Sequence, residues 1–230
     1  MTPRTAAAKL AIALIAGSVI FALSGALGSV LLLTPAAVVT QAMVWQPLSY
    51  AFIETSPIGV IFGALIIWMI GGPLEMSWGA RRMLAFSLGT TLLSGVLTTL
   101  IALIWTGLWG RAFAGGTVLT TVLWVAYGLA HSRAPMNFWG IPISGNGLAL
   151  IGIGFVALQA VFARSLAPVM PEVFGILLTF VYVKIGSPRV LLLKLKRAKY
   201  ERELKSRSKH LRVISDDDRN TGTGSDRYLH

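Results

Sequence analysis

The sequence predicts an all-α membrane protein with six spans and both termini on the cytoplasmic side. Three observations carry that expectation. Hydrophobic residues make up 55% of the 230-residue chain and charged residues only 13%, against about 25% charged in a typical soluble domain. Most of the chain before Lys184 falls into long stretches without a charge, and about 20 apolar residues cross the ~30 Å hydrocarbon layer of a bilayer. Finally, Arg4, Lys9, Arg81, Arg82, Arg133 and the basic tail fall on one side of a six-span topology. Only Arg111 and Arg164 fall on the other, and such a bias places the richer side in the cytoplasm.

Residues 1–9 are short and basic and read as a cytoplasmic N-terminus. The run from Leu10 to Leu33 follows. It has the basic start and small residues of a signal peptide but exceeds an h-region of about 7–15 residues, so it reads as a retained first helix. The segment WQPLSYAF, from Trp45 to Phe52, is too polar to span. Its aromatic residues suit the outer interface. The second span runs from Thr55 to Leu74 and closes on Glu75, a Trp78-Gly79 turn and the cytoplasmic anchor Arg81-Arg82. The third runs from Met83 to Gly110, with Trp105 and Trp109 marking an interface.

The fourth span, Ala112 to Ala130, opens on Ala114-Gly115-Gly116, small residues that permit close helix approach. Ala134 to Gly147, rich in Pro, Gly and Asn, reads as an interfacial loop. It precedes a fifth span at about Leu148 to Phe162. The sixth starts near Ser165 and carries Pro168, Pro171 and Glu172. Too few apolar residues separate Glu172 from Lys184 for a crossing, so Glu172 lies within the membrane region or just below its edge.

Residues 10–186 thus form the expected membrane domain. Ser187-Pro188 is a helix start, and residues 187–214 read as a basic amphipathic helix on the cytoplasmic leaflet. Its cluster Lys194, Lys196, Arg197 and Lys199 suits anionic lipid rather than nucleic acid. The polar residues 215–230 read as a disordered tail.

Chemistry has little to work with. An intramembrane hydrolase needs a nucleophile within reach of a base, and donors for an oxyanion. The spans hold Ser94, Thr117, Thr120, Thr121 and Thr179, but no histidine and no mid-membrane lysine. The first aspartate is Asp216, and Glu54, Glu75 and Glu172 lack histidine companions. No metal site or cofactor is expected. The chain has no cysteine.

Four segments carry a family resemblance: WQPLSYAF, GGPLE with WGARRML, AGGTV at the fourth span, and NFWGIPI after it. In this order the chain resembles the rhomboid-like intramembrane proteins over about residues 45–186. In proteolytic rhomboids the fourth helix opens Gly-Ala-Ser-Gly, so the resemblance puts the serine position at Gly115. The oxyanion positions of the second helix fall on Gly59 and Gly63, and the base histidine of the sixth helix on Pro168. With every catalytic group replaced, the chain resembles a rhomboid pseudoprotease, in the class that includes derlins and inactive rhomboids.

The resemblance implies a non-proteolytic protein that binds or stabilises transmembrane partners, alone or as a subunit of a larger membrane complex. Trp45, Glu54, Gly63, Gly115, Gly116 and Glu172 are the expected contacts. Gly59 and Gly63 form a GxxxG pair that Gly115-Gly116 would face. Two alternatives remain: a divergent intramembrane serine protease using Ser165 or Thr117 with Glu172, and a solute or proton pathway through Glu172. A bacterial inner membrane is expected over an endoplasmic reticulum.

Overall fold

The computed structural model describes residues 5–132, 134–138, 141–185 and Tyr200. The basic helix assigned to residues 187–214, its four lipid-contact residues and the tail lie outside the described residues. Eight α-helices and one hairpin appear among those described: α1 (Ala6–Leu23), α2 (Pro35–Thr40), α3 (Gln46–Ser49), α4 (Pro57–Trp78), α5 (Ala80–Ala102), α6 (Gly116–Ala130), β1 (Pro135–Phe138), β2 (Ile141–Ser144), α7 (Gly145–Phe162) and α8 (Met170–Ile185). Helices α1, α4, α5 and α7, and the stretch Ala167–Lys184, are long and apolar enough to cross a membrane. Helix α6 has 15 residues, or about 22 Å, and is short for a crossing. It is also the most enclosed element, packing on α4, α5, α7 and α8.

Each boundary has a local cause. Thr5 and Ser144 accept hydrogen bonds from the backbone N–H groups of Ala8 (3.2 Å) and Gly147 (3.2 Å), capping α1 and α7. Pro57 follows the cap Ser56 at the first position of α4. Gly79, at φ 82°, makes the turn between α4 and α5 that the Trp-Gly pair announced.

Four expectations are corrected. The first helix starts at Ala6, so Lys9 lies inside it and not ahead of it. It also stops at Leu23, ten residues before the expected end at Leu33: Gly25 takes φ 54° and a 3-10 turn follows over Gly25–Leu31. Lack of charge marks what lipid tolerates, not where a helix ends. Helix α5 likewise ends at Ala102, ahead of a 3-10 turn at Thr106–Leu108. The expected loop after α6 is an antiparallel hairpin pairing Pro135 with Ser144, and α7 begins directly after it. WQPLSYAF is not simply interfacial. It folds into α3 and a short 3-10 turn that buries Gln46 and Tyr50 while leaving Trp45 and Leu48 exposed.

Two side-chain ties hold the helices in place. Both carboxylate oxygens of Glu75 on α4 accept the first N–H groups of α1, from Ala6 at 3.0 Å and Ala7 at 2.9 Å. The acid thus satisfies two orphan donors and sits at the positive end of the helix dipole. Near the α4–α5 turn, the Arg82 guanidinium lies 5.0 Å from the Trp78 ring, and Nε donates to the Tyr182 hydroxyl at 3.1 Å. This gathers α4, α5 and α8. Replacing Glu75 with Ala leaves both donors without that partner and is expected to cost about 1–3 kcal/mol. Glu75→Gln, which keeps one acceptor, is expected to lose less. Thermal unfolding of the purified protein in detergent checks both.

Candidate functional site

The N-terminus of α6 begins among residues that leave backbone donors to be satisfied. The chain meets this need with main-chain oxygens from the segment before α4. Gly115 N–H donates to the Tyr50 carbonyl at 2.9 Å and Gly116 N–H to the Ile53 carbonyl at 2.9 Å. One step earlier, Phe113 and Leu33 exchange two backbone hydrogen bonds, at 2.8 and 3.0 Å. Thr117 comes next. Its backbone N–H faces Glu54 and its hydroxyl donates to Glu172 Oε1 at 2.8 Å. Two carboxylates, one from the connecting segment and one from α8, therefore converge on the first turn of α6.

Glu54 is tightly positioned. Its backbone N–H donates to Ser18 Oγ on α1 at 2.9 Å. Its Oε1 accepts from the N–H groups of Thr55 (3.1 Å) and Ser56 (3.3 Å) at the start of α4. Burial pushes its carboxyl above the usual range, against these donors. Glu172 is 4% exposed, and its Oε2 is buried with no hydrogen-bond partner among the described residues.

The glycines at the sequence-assigned positions are places that side chains occupy from elsewhere. A Cβ at Gly115 would sit 2.6 Å from the Tyr50 ring. That ring lies between Gly115 and Gly95 of α5. Its hydroxyl is donated to the Thr91 carbonyl, with Ser94 Oγ at 2.8 Å. Burial holds this phenol well above its ordinary pKa, so it remains a neutral donor. A Cβ at Gly116 would meet Leu14 of α1 at 2.9 Å and Glu54 at 3.0 Å, and one at Gly59 would meet the Glu54 carboxyl carbon at 2.8 Å. Gly63 faces Leu14 and Thr120, both at 3.2 Å.

The expected facing of Gly59 and Gly63 onto Gly115 and Gly116 is therefore corrected. Glu54 stands between Gly59 and Gly116, and Gly63 meets Leu14 of α1 and Thr120 of α6 instead. The space is filled by side chains, since glycine on both helices leaves room that a third element enters.

Glu54, Gly59, Gly116 and Glu172 thus come together, with Gly63 and Gly115 at the margins. Trp45 is elsewhere, its indole donating to the Val30 carbonyl at 3.1 Å. Pro168 sits in a 3-10 turn at Ala167–Val169. It therefore shares no helix with Glu172, because α8 begins at Met170. Ser165 Oγ accepts the Ala167 N–H at 3.2 Å. Reasoning from sequence missed Tyr50, Leu14 and Ser18. The signal for Tyr50 was its place in an aromatic segment too polar to span; Leu14 and Ser18 had none.

Beside Glu54, a groove of about 330 Å³ opens between α1 and the start of α4, lined by Ser18, Val19, Ala22, Glu54, Val60 and Ile61 among others. Placing a serine at Gly115 is expected to destabilise the fold by about 1–3 kcal/mol, because the Tyr50 ring holds that space. Combining Gly115→Ser with Tyr50→Ala should relieve the clash, so the pair costs less than the sum of the single changes. Thermal melts of the four proteins measure this.

Comparison with known proteins fits the arrangement. Over 148 residues, the chain is 24% identical to the rhomboid protease GlpG of Pectobacterium atrosepticum, covering 61% of this chain. The chain spans about half the length of that curated relative (49%). A family described as "Eukaryotic integral membrane protein (DUF1751)" matches residues 8–187. That description weighs against the bacterial inner membrane expected from sequence. The match runs from the first turn of α1 past the end of α8, and the chain belongs to this family of integral membrane proteins.

Proposed function

We propose that this multi-pass membrane protein is a non-proteolytic rhomboid-like protein that binds and stabilises transmembrane partner proteins. One observation carries the reading: at the position that the resemblance gives to the serine there is Gly115, and the Tyr50 ring fills the space beside it. Glycine offers no nucleophile. His131, the one histidine among the described residues, caps the far end of α6. In this reading six membrane-embedded helices, with α6 as the enclosed sixth, leave both termini in the cytoplasm, where the basic segment holds anionic lipid and adds a second docking point. The partner lies against the lipid-facing helices, which expose large apolar residues such as Ile12, Leu23, Ile58 and Ile61.

The test is purification of the tagged full-length protein from its native membrane in mild detergent, beside a chain ending at Gly186, with co-purifying proteins identified by mass spectrometry. The reading expects a membrane protein in near-stoichiometric amount. It expects less of that partner with the shortened chain if the tail is a docking point. Recovery of both forms alone would overturn the reading.

The 2.8 Å hydrogen bond from Thr117 to Glu172 favours a second reading, a divergent hydrolase with Thr117 as nucleophile and Glu172 as base. Fluorophosphonate labelling of the pure protein that disappears in Thr117→Val would establish it. The pseudoprotease reading expects no labelling. The pathway through Glu172 has only Glu172, Thr117 and the nearby Glu54 to support it, without a further relay among the described residues.

A further inference from the structure

The groove between α1 and α4 is mostly apolar, with Glu54 its one charged group beside Ser18 and Thr55. Its contents are assembled from three parts of the chain: Ser18, Val19 and Ala22 from α1, Glu54 from the connecting segment, and Val60 and Ile61 from α4. At about 330 Å³, it lies near the lower end of the ~300–1,000 Å³ range of ligand sites. That is room for one long side chain and not for a helix. The carboxylate is held in advance by the N–H groups of Thr55 and Ser56, the Glu54 backbone N–H is tied to Ser18, and Gly59 lets the side chain lie against α4. It has no cationic partner among the described residues: the groups acting on it are backbone donors.

The groove is also continuous with a longer surface. On α1, Ile12, Ile15, Val19 and Leu23 are exposed at helical spacing, and on α4, Ile58, Ile61, Phe62 and Met69 are exposed likewise. Val19 and Ile61 belong to both the stripes and the groove. A lipid headgroup would use the groove alone, whereas a helix would use the groove and the stripes together.

We infer that the α1–α4 groove receives a single Lys or Arg side chain from a partner's transmembrane helix, with Glu54 as its counter-ion and the apolar stripes as the helix's seat. This rests on the partner-binding reading and names where and by what chemistry that binding happens. The occupant is argued from three features. An aliphatic stem suits the apolar walls and a cationic tip suits the lone carboxylate. A basic residue within a membrane span requires such a partner. Holding the carboxylate in place beforehand reduces the ordering cost of forming the pair.

The test uses the full-length protein in phosphatidylcholine vesicles with two fluorescent synthetic Leu-Ala transmembrane helices. One carries a Lys one turn inside each end of its apolar stretch, so either orientation presents one. The other has Leu at both places. Energy transfer to the labelled protein reports binding. The Lys helix is expected to bind about tenfold or more tightly than the Leu helix. Glu54→Gln should abolish that preference, and so should Ile61→Trp, which fills the groove from a lipid-facing position 66% exposed and so leaves the packed core alone.

If Glu54→Gln does not fold, Ile61→Trp decides by itself. Equal binding of the two helices to the unmodified protein overturns the inference. An undiminished preference in both variants, or exclusion of both helices while an ethanolamine lipid is retained in native mass spectrometry, does the same. The two failures are separable. A native partner captured undiminished by both variants removes this site and leaves the scaffold reading, while no native partner at all removes the scaffold reading itself.

Discussion

The structure depends on how the first turn of α6 is capped. In a hydrocarbon layer no water satisfies the free N–H groups at a helix start, so the protein must supply the acceptors. Here the carbonyls of Tyr50 and Ile53 serve Gly115 and Gly116 in succession, and the Glu54 carboxylate lies near the Thr117 N–H. This explains why the segment between α1 and α4 enters the bundle at all. It also explains why that segment buries Gln46 and Tyr50, which as polar or aromatic groups would otherwise prefer the interface. Once the segment is drawn in, the ring of Tyr50 needs a place, and Gly95 and Gly115 provide one.

The hydroxyls of α5 belong to the same arrangement. Thr91, Ser94, Thr98 and Thr99 are buried and each donates to a carbonyl of its own helix, at 2.7 to 2.9 Å. Back-bonding of this kind keeps a polar side chain satisfied in an apolar interior. Ser94 alone has a further partner, the Tyr50 hydroxyl. A sequence scan for nucleophiles meets these residues as candidates, while in the fold they are satisfied packing groups. Thr117 differs because its hydroxyl leaves its own helix for Glu172.

The bundle itself was legible in the sequence because charge and hydropathy report directly on lipid exposure. The Gly79 turn and the close approach at Gly115 and Gly116 followed from spacing and residue size alone. Helix ends were less legible. Leu10–Leu33 and Met83–Gly110 both continue as uncharged chain beyond their helices, since 3-10 turns close to the interface also tolerate apolar residues. The convergence of Glu54 and Glu172 was not legible at all. It depends on a segment folding back across more than sixty residues of sequence to meet α6, and local pattern contains nothing of that distance. The glycines signalled space correctly but not its occupant, because small residues invite whichever neighbour the fold supplies.

The cap that Glu75 provides for α1 bears on how the chain enters the membrane. The acceptors for Ala6 and Ala7 lie 69 and 68 residues downstream. During synthesis α1 therefore emerges with its first turn incomplete, and stays so until the far end of α4 has been made and threaded. The two helices are fastened at the point where one starts and the other finishes, which fixes them antiparallel and in register as a pair. Insertion of α1 is in this sense provisional: its final seating is a bimolecular-like event between two hairpin arms, completed only when the ribosome has moved on to the residues of α5.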